Sequence, residues 1–359
     1  MPILQLRLIE RNDHSYGIVI QPGLLNTIPT DLKKKQWGQK YCVITDTTVK
    51  KLYGEELIQN MRELGLNATL LAFQPGESNK NLKTVEKLLN QMIQLGHNRE
   101  SCVIALGGGV IGDTAGFVAS IFMRGIPFIQ IPTTLMAMAD SSIGGKTGVD
   151  LMGGKNLVGT FAQPKQVYID PQVLSTLPKK HLTNGLAEIV KHGLIRDKSI
   201  LKILKKFPEK AAEGHTTILT KLLIRSCKVK IRVIQRDTYE KNLRMILNYG
   251  HSIGHAIEHA SHYQLNHGQA VAIGINLENR LAVDRKLMKP KQCEAIEEIL
   301  KSLKLPTIIP EKIDRNPILK ALKFDKKNKG DTFTFTLLKR PGKPIIVRDI
   351  QVQEVKNVL

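Results

Sequence analysis

The sequence predicts an α/β N-terminal domain, doubly wound around a mostly parallel sheet, followed by a mainly α-helical C-terminal domain. Three observations predict this fold class. Short β-rich runs alternate with helical patterns up to about residue 171, long amphipathic segments replace them afterwards, and 359 residues is about twice the length of a typical domain. We therefore place the domains at residues 1–171 and 172–359 and expect a functional site in the cleft between them.

The N-terminal domain is predicted from its strands. The first 20 residues alternate apolar and polar side chains, which is typical of a strand. A helical pattern, "NLKTVEKLLNQMIQLG", separates two of the later β-rich runs. Strands that alternate with helices favour a parallel sheet. The later runs are "YCVITD", "NATLLAF", "SCVIALGGG" and "IPFIQIPTT", which begin at Tyr41, Asn67, Ser101 and Ile126.

The C-terminal domain is predicted from long amphipathic segments. The runs "HLTNGLAEIVKHGLI" and "TTILTKLLIRSCKVKIRVIQRD", beginning at His181 and Thr216, have the apolar spacing of helices. Near the end of the chain, "TFTFTLL" alternates from Thr332 and predicts a hairpin. We therefore expect a helical domain closed by a hairpin.

Composition and charge exclude several classes of protein. No run approaches the roughly 20 apolar residues of a membrane span, and early charges argue against a signal peptide, so we expect a soluble cytoplasmic protein with no membrane partner. The four cysteines are widely spaced, which suggests neither a disulfide framework nor a cysteine metal site. The formal charge is +21, but its lysine doublets are scattered. We therefore expect no nucleic-acid partner, although a basic field attracts small anionic substrates.

A glycine-rich turn follows the predicted strand at Ser101. In "GGGVIGD", Gly107, Gly109 and Gly112 have the spacing of a dinucleotide-binding loop at a helix N-terminus. The acidic residue expected about 20 residues later, which binds a ribose hydroxyl in such loops, is absent. Asp46, at the end of an earlier strand, is a candidate for that role. The sequence therefore predicts a nucleotide site with a non-standard arrangement.

The segment "MADSSIGGKTGVDLMGGKNLVG", residues 138–159, combines small residues with polar and charged side chains. We predict a loop that folds closely around a polar ligand. Its lysines suit a phosphate or a carboxylate, and its apolar flanks indicate a buried cleft. The candidate ligand-binding residues are Asp140, Ser141, Ser142, Lys146, Lys155 and Asn156.

Five of the ten histidines lie in the segment 250–268. On a helix, His251 and His255 are neighbours at i, i+4, and Asn248 and Arg244 continue the same face toward the N-terminus. Because this face is too polar for a core, it is either exposed or lines a site.

If this face lines a site, the histidines are candidate metal ligands. A catalytic divalent cation such as zinc is commonly held by three protein ligands drawn from histidine and carboxylate side chains. The spacing permits two ligand sets. One is His251 with His255 and Glu258, and the other is His251 with His267 and a distant acid.

A series of motifs covers most of the chain. These are "LGGGVIGDTAGF", "MRG", "IPTTL", "DSSIGGKTGV", "GKN", "GLAEIVKHGLI", "NYGHSIGHAIE", "HGQAVAIG" and a late "DKK". In this order they resemble the 3-dehydroquinate synthase family of sugar-phosphate cyclases. The resemblance implies a dehydroquinate synthase-like fold, a homodimer, NAD, and a divalent metal, with zinc favoured and cobalt as an alternative.

The resemblance also implies a reaction. The family converts 3-deoxy-arabino-heptulosonate 7-phosphate to 3-dehydroquinate and phosphate in the shikimate pathway, which leads to chorismate and the aromatic amino acids. The implied steps are transient NAD-dependent oxidation, phosphate elimination, re-reduction, ring opening and intramolecular aldol closure. No net redox change occurs, so the nucleotide stays bound between two hydride transfers.

The family's functional residues fall on identifiable positions of this sequence. The implied metal ligands are Glu188, His251 and His267. The implied catalytic residues are Asp140, Lys146, Lys191, Lys230, Glu240, Arg244, Asn248 and His255. Residues implied to bind substrate are Arg124, donated by a second subunit, with Lys146, Asn156, Lys230, Arg244, Asn248, His255, Lys326 and Lys327. Those implied to bind NAD are Asp46, Glu77, Lys80, Gly109, Asp113, Thr133, Thr134, Lys146, Lys155 and Thr176.

Two departures and two alternatives accompany the resemblance. Asn242 stands where the family usually has glycine, and Gln269 replaces the glutamate that usually follows the last metal ligand, which we expect to weaken metal binding or alter ligand basicity. Other sugar-phosphate cyclases, and metal-dependent glycerol or alcohol dehydrogenases of similar fold, remain alternatives. The anion-binding residues Lys146, Lys230, Arg244 and Lys326 argue against a dehydrogenase.

Overall fold

The computed structural model describes residues 13–152, 154–238, 242–262, 264–323 and 332–359. A six-stranded sheet organises the first half, with strand order β1-β8-β5-β4-β2-β3 and parallel pairing throughout. Its strands are β1 (Gly17–Ile20), β2 (Lys40–Asp46), β3 (Ala68–Phe73), β4 (Ser101–Gly107), β5 (Phe128–Pro132) and β8 (Gln166–Ile169). The parallel sheet and the strands predicted from Tyr41, Asn67, Ser101 and Ile126 are confirmed.

Helices cover both faces of this sheet. They are α1 (Ile28–Lys35), α2 (Thr47–Val49), α3 (Glu55–Glu63), α4 (Leu82–Gln94) and α5 (Gly109–Ile121). One apolar layer packs α4 and α5 against the sheet, and another packs α1 and α3 against the opposite face. Because both faces are covered, all seven residues of β4 are buried, which explains its continuous apolar run.

The segment 138–159 was wrongly predicted as a loop. It contains an antiparallel hairpin formed by β6 (Lys146–Leu151) and β7 (Gly154–Phe161). Two of its glycines permit close approach of the strands, because a Cβ on Gly148 would lie 2.4 Å from the Val158 carbonyl oxygen and one on Gly159 would lie 2.1 Å from that of Thr147. These glycines therefore mark strand contact and not a flexible loop.

The second half is mainly helical, as predicted, and ends in a hairpin of β9 (Thr332–Arg340) and β10 (Lys343–Gln351). Its largest apolar core includes the buried apolar residues of α6 and α11 and also Val167 and Ile169 of β8. The division at residue 171 therefore stays a prediction, since the helical core continues onto the sheet. The helices are α6 (Lys179–Ile195), α7 (Lys198–Lys206), α8 (Pro208–Ala212), α9 (Thr216–Arg236), α10 (His251–Ala260), α11 (His267–Asp284), α12 (Pro290–Ser302), α13 (Asn316–Lys323) and α14 (Val352–Val358).

Short 3₁₀ and π segments link these elements. The 3₁₀ segment Leu243–Asn248 precedes α10, and the π segment Ala137–Ser141 follows β5. Both carry candidate site residues. Within the described ranges, every helix is too short or too polar to cross a membrane.

Candidate active site

Three helices bring the implied metal ligands together. Glu188 lies on α6, while His251 and His267 are the first residues of α10 and α11. The Nε2 atoms of His251 and His267 lie 3.3 Å and 3.4 Å from the same oxygen, Oε1 of Glu188. The ring of His255 stands beside them, with its centroid 5.2 Å from that of His251. We name Glu188, His251 and His267 the metal-side cluster.

The second nitrogen of each imidazole is held by an acceptor. His251 Nδ1 lies 3.1 Å from the Tyr249 carbonyl oxygen, and His267 Nδ1 lies 3.2 Å from Glu258 Oε2. A carbonyl oxygen only accepts, so Nδ1 of His251 carries the proton and Nε2 presents its lone pair to the cluster. Two oriented imidazoles and a fully buried carboxylate form a donor set that fits a divalent cation.

The charges in this cluster favour a cation. Burial opposes ionisation of Glu188, but Lys191, His251 and His267 together outweigh burial and hold the pKa of Glu188 well below its usual range. Burial also opposes charge on His267, yet hydrogen bonds to Glu188 and Glu258 raise its pKa to about 9. A proton therefore resides on His267 between two carboxylates, in the position that a bound cation would take over.

Glu278 fixes the start of α10. Its Oε2 accepts from the Gly250 N–H at 2.6 Å, and burial raises the pKa of this carboxyl to about 8 although the amides of Gly250, Ile253 and Ser252 oppose the shift. Gly250 has φ 78°, and a Cβ there would lie 2.4 Å from Ile275 Cγ1. Helix α11 thereby sets the position of the helix that begins with His251.

A buried set of cations adjoins the cluster. Lys230 on α9 donates to Oδ1 of Asp140 and to its carbonyl oxygen, both at 2.6 Å. Burial opposes ionisation of Asp140, but Lys230 and Lys191 hold the pKa of Asp140 below its usual range. Arg244 is buried nearby against Gly144, where a Cβ would come within 2.9 Å of Arg244 Nη2. This glycine therefore makes room for the guanidinium.

A second charged group lies at the ends of the sheet strands and on the hairpin. Lys80 Nζ lies 2.6 Å from Asp113 Oδ2, 2.5 Å from Asn156 Oδ1 and 3.8 Å from Glu77 Oε1. Burial opposes charge on Lys80, but Asp113 and Glu77 raise its pKa. We name Lys80, Asp113, Asn156 and Glu77 the nucleotide-side cluster. Lys155 precedes Asn156 in β7, and its Nζ lies 2.6 Å from Oε1 of Glu258, the carboxylate that contacts His267 of the metal-side cluster.

Family models of 3-dehydroquinate synthase match most of the chain. The N-terminal model matches residues 70–184 and the C-terminal model residues 185–328. The chain belongs to the 3-dehydroquinate synthase family. It is 40% identical over 349 residues to the 3-dehydroquinate synthase of Prochlorococcus marinus (strain AS9601), which covers 96% of both chains.

Solved structures of similar proteins confirm the dehydroquinate synthase-like fold. A 2-deoxy-scyllo-inosose synthase, complexed with carbaglucose-6-phosphate, NAD+ and Co2+, has a TM-score of 0.88 and 30% identity, over 95% of both chains. The 2-epi-5-epi-valiolone synthase of Streptomyces hygroscopicus subsp. jinggangensis 5008, with NAD+ and Zn2+ bound, has a TM-score of 0.89 and 29% identity over 98% of both chains. Both of these neighbours hold NAD+ and a divalent metal ion.

The remaining NAD-site candidates lie around the carboxyl ends of β2, β4 and β5. Asp46 uses Oδ1 to cap α2, accepting from Thr48 and Val49 amides at 2.8 Å and 2.9 Å. Gly109 is the first residue of α5. Thr133 and Thr134 follow β5, and the Thr176 hydroxyl lies 2.5 Å from that of Tyr53.

The other predicted site residues are described only by their element and exposure, or lie outside the described residues. Lys146 is exposed at the start of β6, and Arg124 is exposed after α5. Asn248 lies in the 3₁₀ segment that leads to α10. Glu240, Lys326 and Lys327 lie outside the described residues.

The two departures from the 3-dehydroquinate synthase pattern have structural explanations. Asn242 has φ −147°, so its backbone requires no glycine. Gln269 Oε1 accepts from the Asn266 N–H at 3.0 Å, which completes a capping box at the start of α11. The carboxylate that bonds to His267 comes from Glu258 instead.

Sequence reasoning missed the roles of Glu258 and Glu278. Glu258 had been considered as a ligand, and its contact is with the far nitrogen of His267. A signal for Glu278 was present in the sequence, since "NLEN" from Asn276 to Asn279 places polar residues within an otherwise apolar helix. Such residues in a buried helix need hydrogen-bond partners, which here include the start of α10.

Proposed function

We propose that this chain converts 3-deoxy-arabino-heptulosonate 7-phosphate to 3-dehydroquinate and phosphate, through transient oxidation, phosphate elimination, re-reduction, ring opening and intramolecular aldol closure. One observation carries the proposal. Glu188 of the metal-side cluster pairs with the buried cation Lys191, and Glu258 links His267 to Lys155, the neighbour of Asn156 in the nucleotide-side cluster. An anionic substrate that must meet both a metal and a nucleotide suits this arrangement.

The proposed cofactors are NAD and zinc. Glu188, His251 and His267 would hold the cation, and two imidazoles with one carboxylate are typical of catalytic zinc. When bound, the cation supplies Lewis acidity to a substrate oxygen, and NAD supplies and recovers a hydride. The residues proposed to hold NAD are those of the nucleotide-side cluster other than Asn156, together with Asp46, Gly109, Thr133, Thr134, Lys146, Lys155 and Thr176.

The chain's own residues bind and orient the substrate. Lys230 and Arg244 are buried cations suited to the substrate carboxylate, because a buried anion requires compensating charge. Phosphate would be held by Lys146, Asn156, Asn248 and His255. Lys326 and Lys327 are proposed for the same role from the motif alone.

Proton transfer is proposed for the buried acid and lysine beside the cluster. Asp140 is kept ionised by Lys230, which makes it a weak base but lets it accept a hydrogen bond from a substrate hydroxyl and position that hydroxyl for proton transfer. Lys191 holds a proton next to Glu188 and is able to donate one. Glu240 is proposed for proton relay from its motif.

We also propose a homodimer in which Arg124 enters the partner's site. Arg124 is exposed, and the neighbouring side chains Ile121 and Met123 are exposed and apolar. A hydrogen bond of 2.7 Å from Thr160 to Ser120 brings the end of β7, with exposed Phe161, next to this region. Exposed apolar side chains of this kind are typical of a protein interface.

Mixing two inactive variants tests the shared site. Arg124→Ala and Lys146→Ala subunits, dissociated and re-associated together, are expected to regain about a quarter of the wild-type activity, because half of the dimers are mixed and each has one intact site. Either variant re-associated alone serves as the control. Absence of recovery in a mixture that sedimentation shows to be dimeric would contradict the cross-subunit role.

We propose that the protein works in the cytoplasm. All four cysteines are unpaired and buried, which suits a reducing compartment. Small sugar phosphates are the proposed partners, with no requirement for nucleic acid or membrane.

The reaction is tested by phosphate release from 3-deoxy-arabino-heptulosonate 7-phosphate, with zinc and catalytic NAD, while NADH is followed in the same cuvette. We expect stoichiometric phosphate, no accumulation of NADH, and loss of activity with a chelator. Sustained NADH production from glycerol or a simple alcohol would instead identify a dehydrogenase. Phosphate release only from other sugar phosphates would identify a different cyclase.

A further inference from the structure

Glu258 contacts the metal-side cluster and the hairpin with one carboxylate. It lies on α10, is 5% exposed, and divides its oxygens between two partners. Oε2 lies 3.2 Å from His267 Nδ1, and Oε1 lies 2.6 Å from Lys155 Nζ. The same side chain therefore joins three separate elements, α10, α11 and β7.

The two histidines of the metal-side cluster differ in what orients them. Nδ1 of His251 is held by the Tyr249 carbonyl, which belongs to the main chain. Nδ1 of His267 is held by the Glu258 carboxylate, and the His267 side chain is 30% exposed compared with 11% for His251. The orientation of His267 thus depends on a side chain that substitution can remove.

The β6–β7 hairpin also contacts the side chain of Glu258. Strands β6 and β7 pair with each other and not with the six-stranded sheet. The hairpin is joined to its surroundings by polar contacts that include Asp150 N–H to the Lys80 carbonyl at 2.8 Å and the Lys155–Glu258 ion pair. Glu258 therefore supplies one of the contacts of the strand that carries Lys155, a proposed NAD-binding residue.

We propose that Glu258 is a positioning residue for the metal site, which orients His267 toward Glu188 with one oxygen while its other oxygen contacts Lys155 of the hairpin. The inference rests on the proposed metal dependence. A carboxylate that accepts from the far nitrogen of a ligating imidazole fixes its tautomer and raises its basicity, and loss of such a partner typically weakens metal binding about 10- to 100-fold.

The test measures cobalt binding by the metal-free protein in competition with a chromophoric chelator. Glu258→Gln is expected to bind Co2+ about 10- to 100-fold more weakly, with a changed visible absorption spectrum of the bound ion. Lys155→Met removes the other partner of Glu258 and leaves His267 its acceptor, so its affinity should stay within about threefold of wild type. The visible spectrum reports the ligands of the ion, which a purely structural role of Glu258 would leave unchanged.

Glu77→Gln is the matched control. It removes one carboxylate from the nucleotide-side cluster, next to Lys80, and we expect it to leave cobalt affinity unchanged. Equal weakening in Glu77→Gln and Glu258→Gln would overturn the inference, because it would indicate a general charge effect. Wild-type affinity and spectrum in Glu258→Gln would also overturn it.

Two further variants distinguish failure of this inference from failure of the proposed metal dependence. If Glu258→Gln fails to fold, Glu258→Asp retains the charge with a shorter reach, and the same loss of affinity and change of spectrum are expected. His251→Ala identifies the binding site of the ion. Cobalt binding that His251→Ala abolishes and Glu258 variants leave untouched would overturn this inference alone, whereas no cobalt binding by the wild type would overturn the proposed metal dependence as well.

Discussion

The metal-side and nucleotide-side clusters are linked through Glu258 and Lys155, yet they are built differently. In the nucleotide-side cluster each charge has a partner of opposite sign, with Lys80 lying between Asp113 and Glu77. In the metal-side cluster two imidazoles converge on one oxygen of Glu188. In the nucleotide-side cluster the charges compensate one another without a ligand. In the metal-side cluster two imidazole nitrogens face one carboxylate oxygen, which leaves donor atoms available for a metal ion.

The elements that carry the two clusters also differ. The metal-side residues project from helices packed in the largest core of the described chain. The helix start at His251 is held by the buried carboxyl group of Glu278, and the one at His267 by a capping box. The nucleotide-side residues come from a loop, a helix and a hairpin outside the main sheet. We therefore expect substitutions in the metal-side cluster to affect mainly ligand binding and those in the nucleotide-side cluster to affect mainly the stability of the chain.

The largest expected effect is on the metal side. His251→Ala removes an oriented ligand, so bound metal and phosphate release should both be lost, with activity falling by more than about 1,000-fold. The thermal unfolding midpoint of the metal-free protein should change little, because Glu188 keeps its ion pair with Lys191. Metal content by elemental analysis and calorimetric unfolding check these two expectations.

His181→Ala provides the control for that experiment. His181 is exposed in the first turn of α6, the helix that carries Glu188, and its replacement should preserve both metal and activity. A His251→Ala protein that retains a full equivalent of metal would contradict this expectation, because the donor atoms of the metal-side cluster would then not bind the ion.

The second expectation concerns the nucleotide side. Lys80 is only 4% exposed and pairs with Asp113, so Lys80→Met leaves a carboxylate without its cation and should lower the free energy of unfolding by roughly 3 kcal/mol. NAD affinity should fall as well, because a proposed cofactor contact is lost. Denaturant unfolding and NAD titration measure the two effects.

A double variant sharpens the second expectation. Lys80→Met with Asp113→Asn removes both charges, and its loss of stability should be smaller than the sum of the single losses because the two residues are in contact. Additive losses would show that the pair is not coupled. In that case the nucleotide side would not be the self-compensated region that the geometry indicates.

The fold was predictable where its causes are local. The β-rich run beginning at Ser101 lies in one buried strand, and an apolar run of that kind is typical of a parallel sheet. The hairpin of residues 146–161 was missed because glycines such as Gly148 serve close strand contact, which is a property of the partner strand and not of the local sequence.

The site was predictable only in part, for a related reason. Spacing within 250–268 left two ligand sets open, because Glu188 reaches the histidines through the packing of α6 against α11. The resemblance supplied Glu188. Spacing did not reveal the acceptor for His267 either, since the contact of Glu258 depends on how α10 and α11 pack together.

The smallest expected effect concerns Gln269, where the sequence alone suggested weakened metal binding. The structure gives Gln269 a different role, because its Oε1 accepts from the Asn266 N–H while Glu258 takes His267 Nδ1. Gln269→Glu should therefore leave cobalt affinity within about twofold of wild type. A glutamate completes the same capping box and suits the positive end of a helix, so the free energy of unfolding should rise by a few tenths of a kcal/mol, roughly 0.3.

Gln292 offers a matched control for this prediction. It occupies the same position in the capping box of α12, where its Oε1 accepts from the Lys289 N–H at 3.3 Å, and the metal-side ligands all lie on other helices. Gln292→Glu and Gln269→Glu should give similar small gains in stability and no change in cobalt affinity. If Gln269→Glu alone tightens cobalt binding, a carboxylate at position 269 reaches His267, and Glu258 is then one of two acceptors that this imidazole can use.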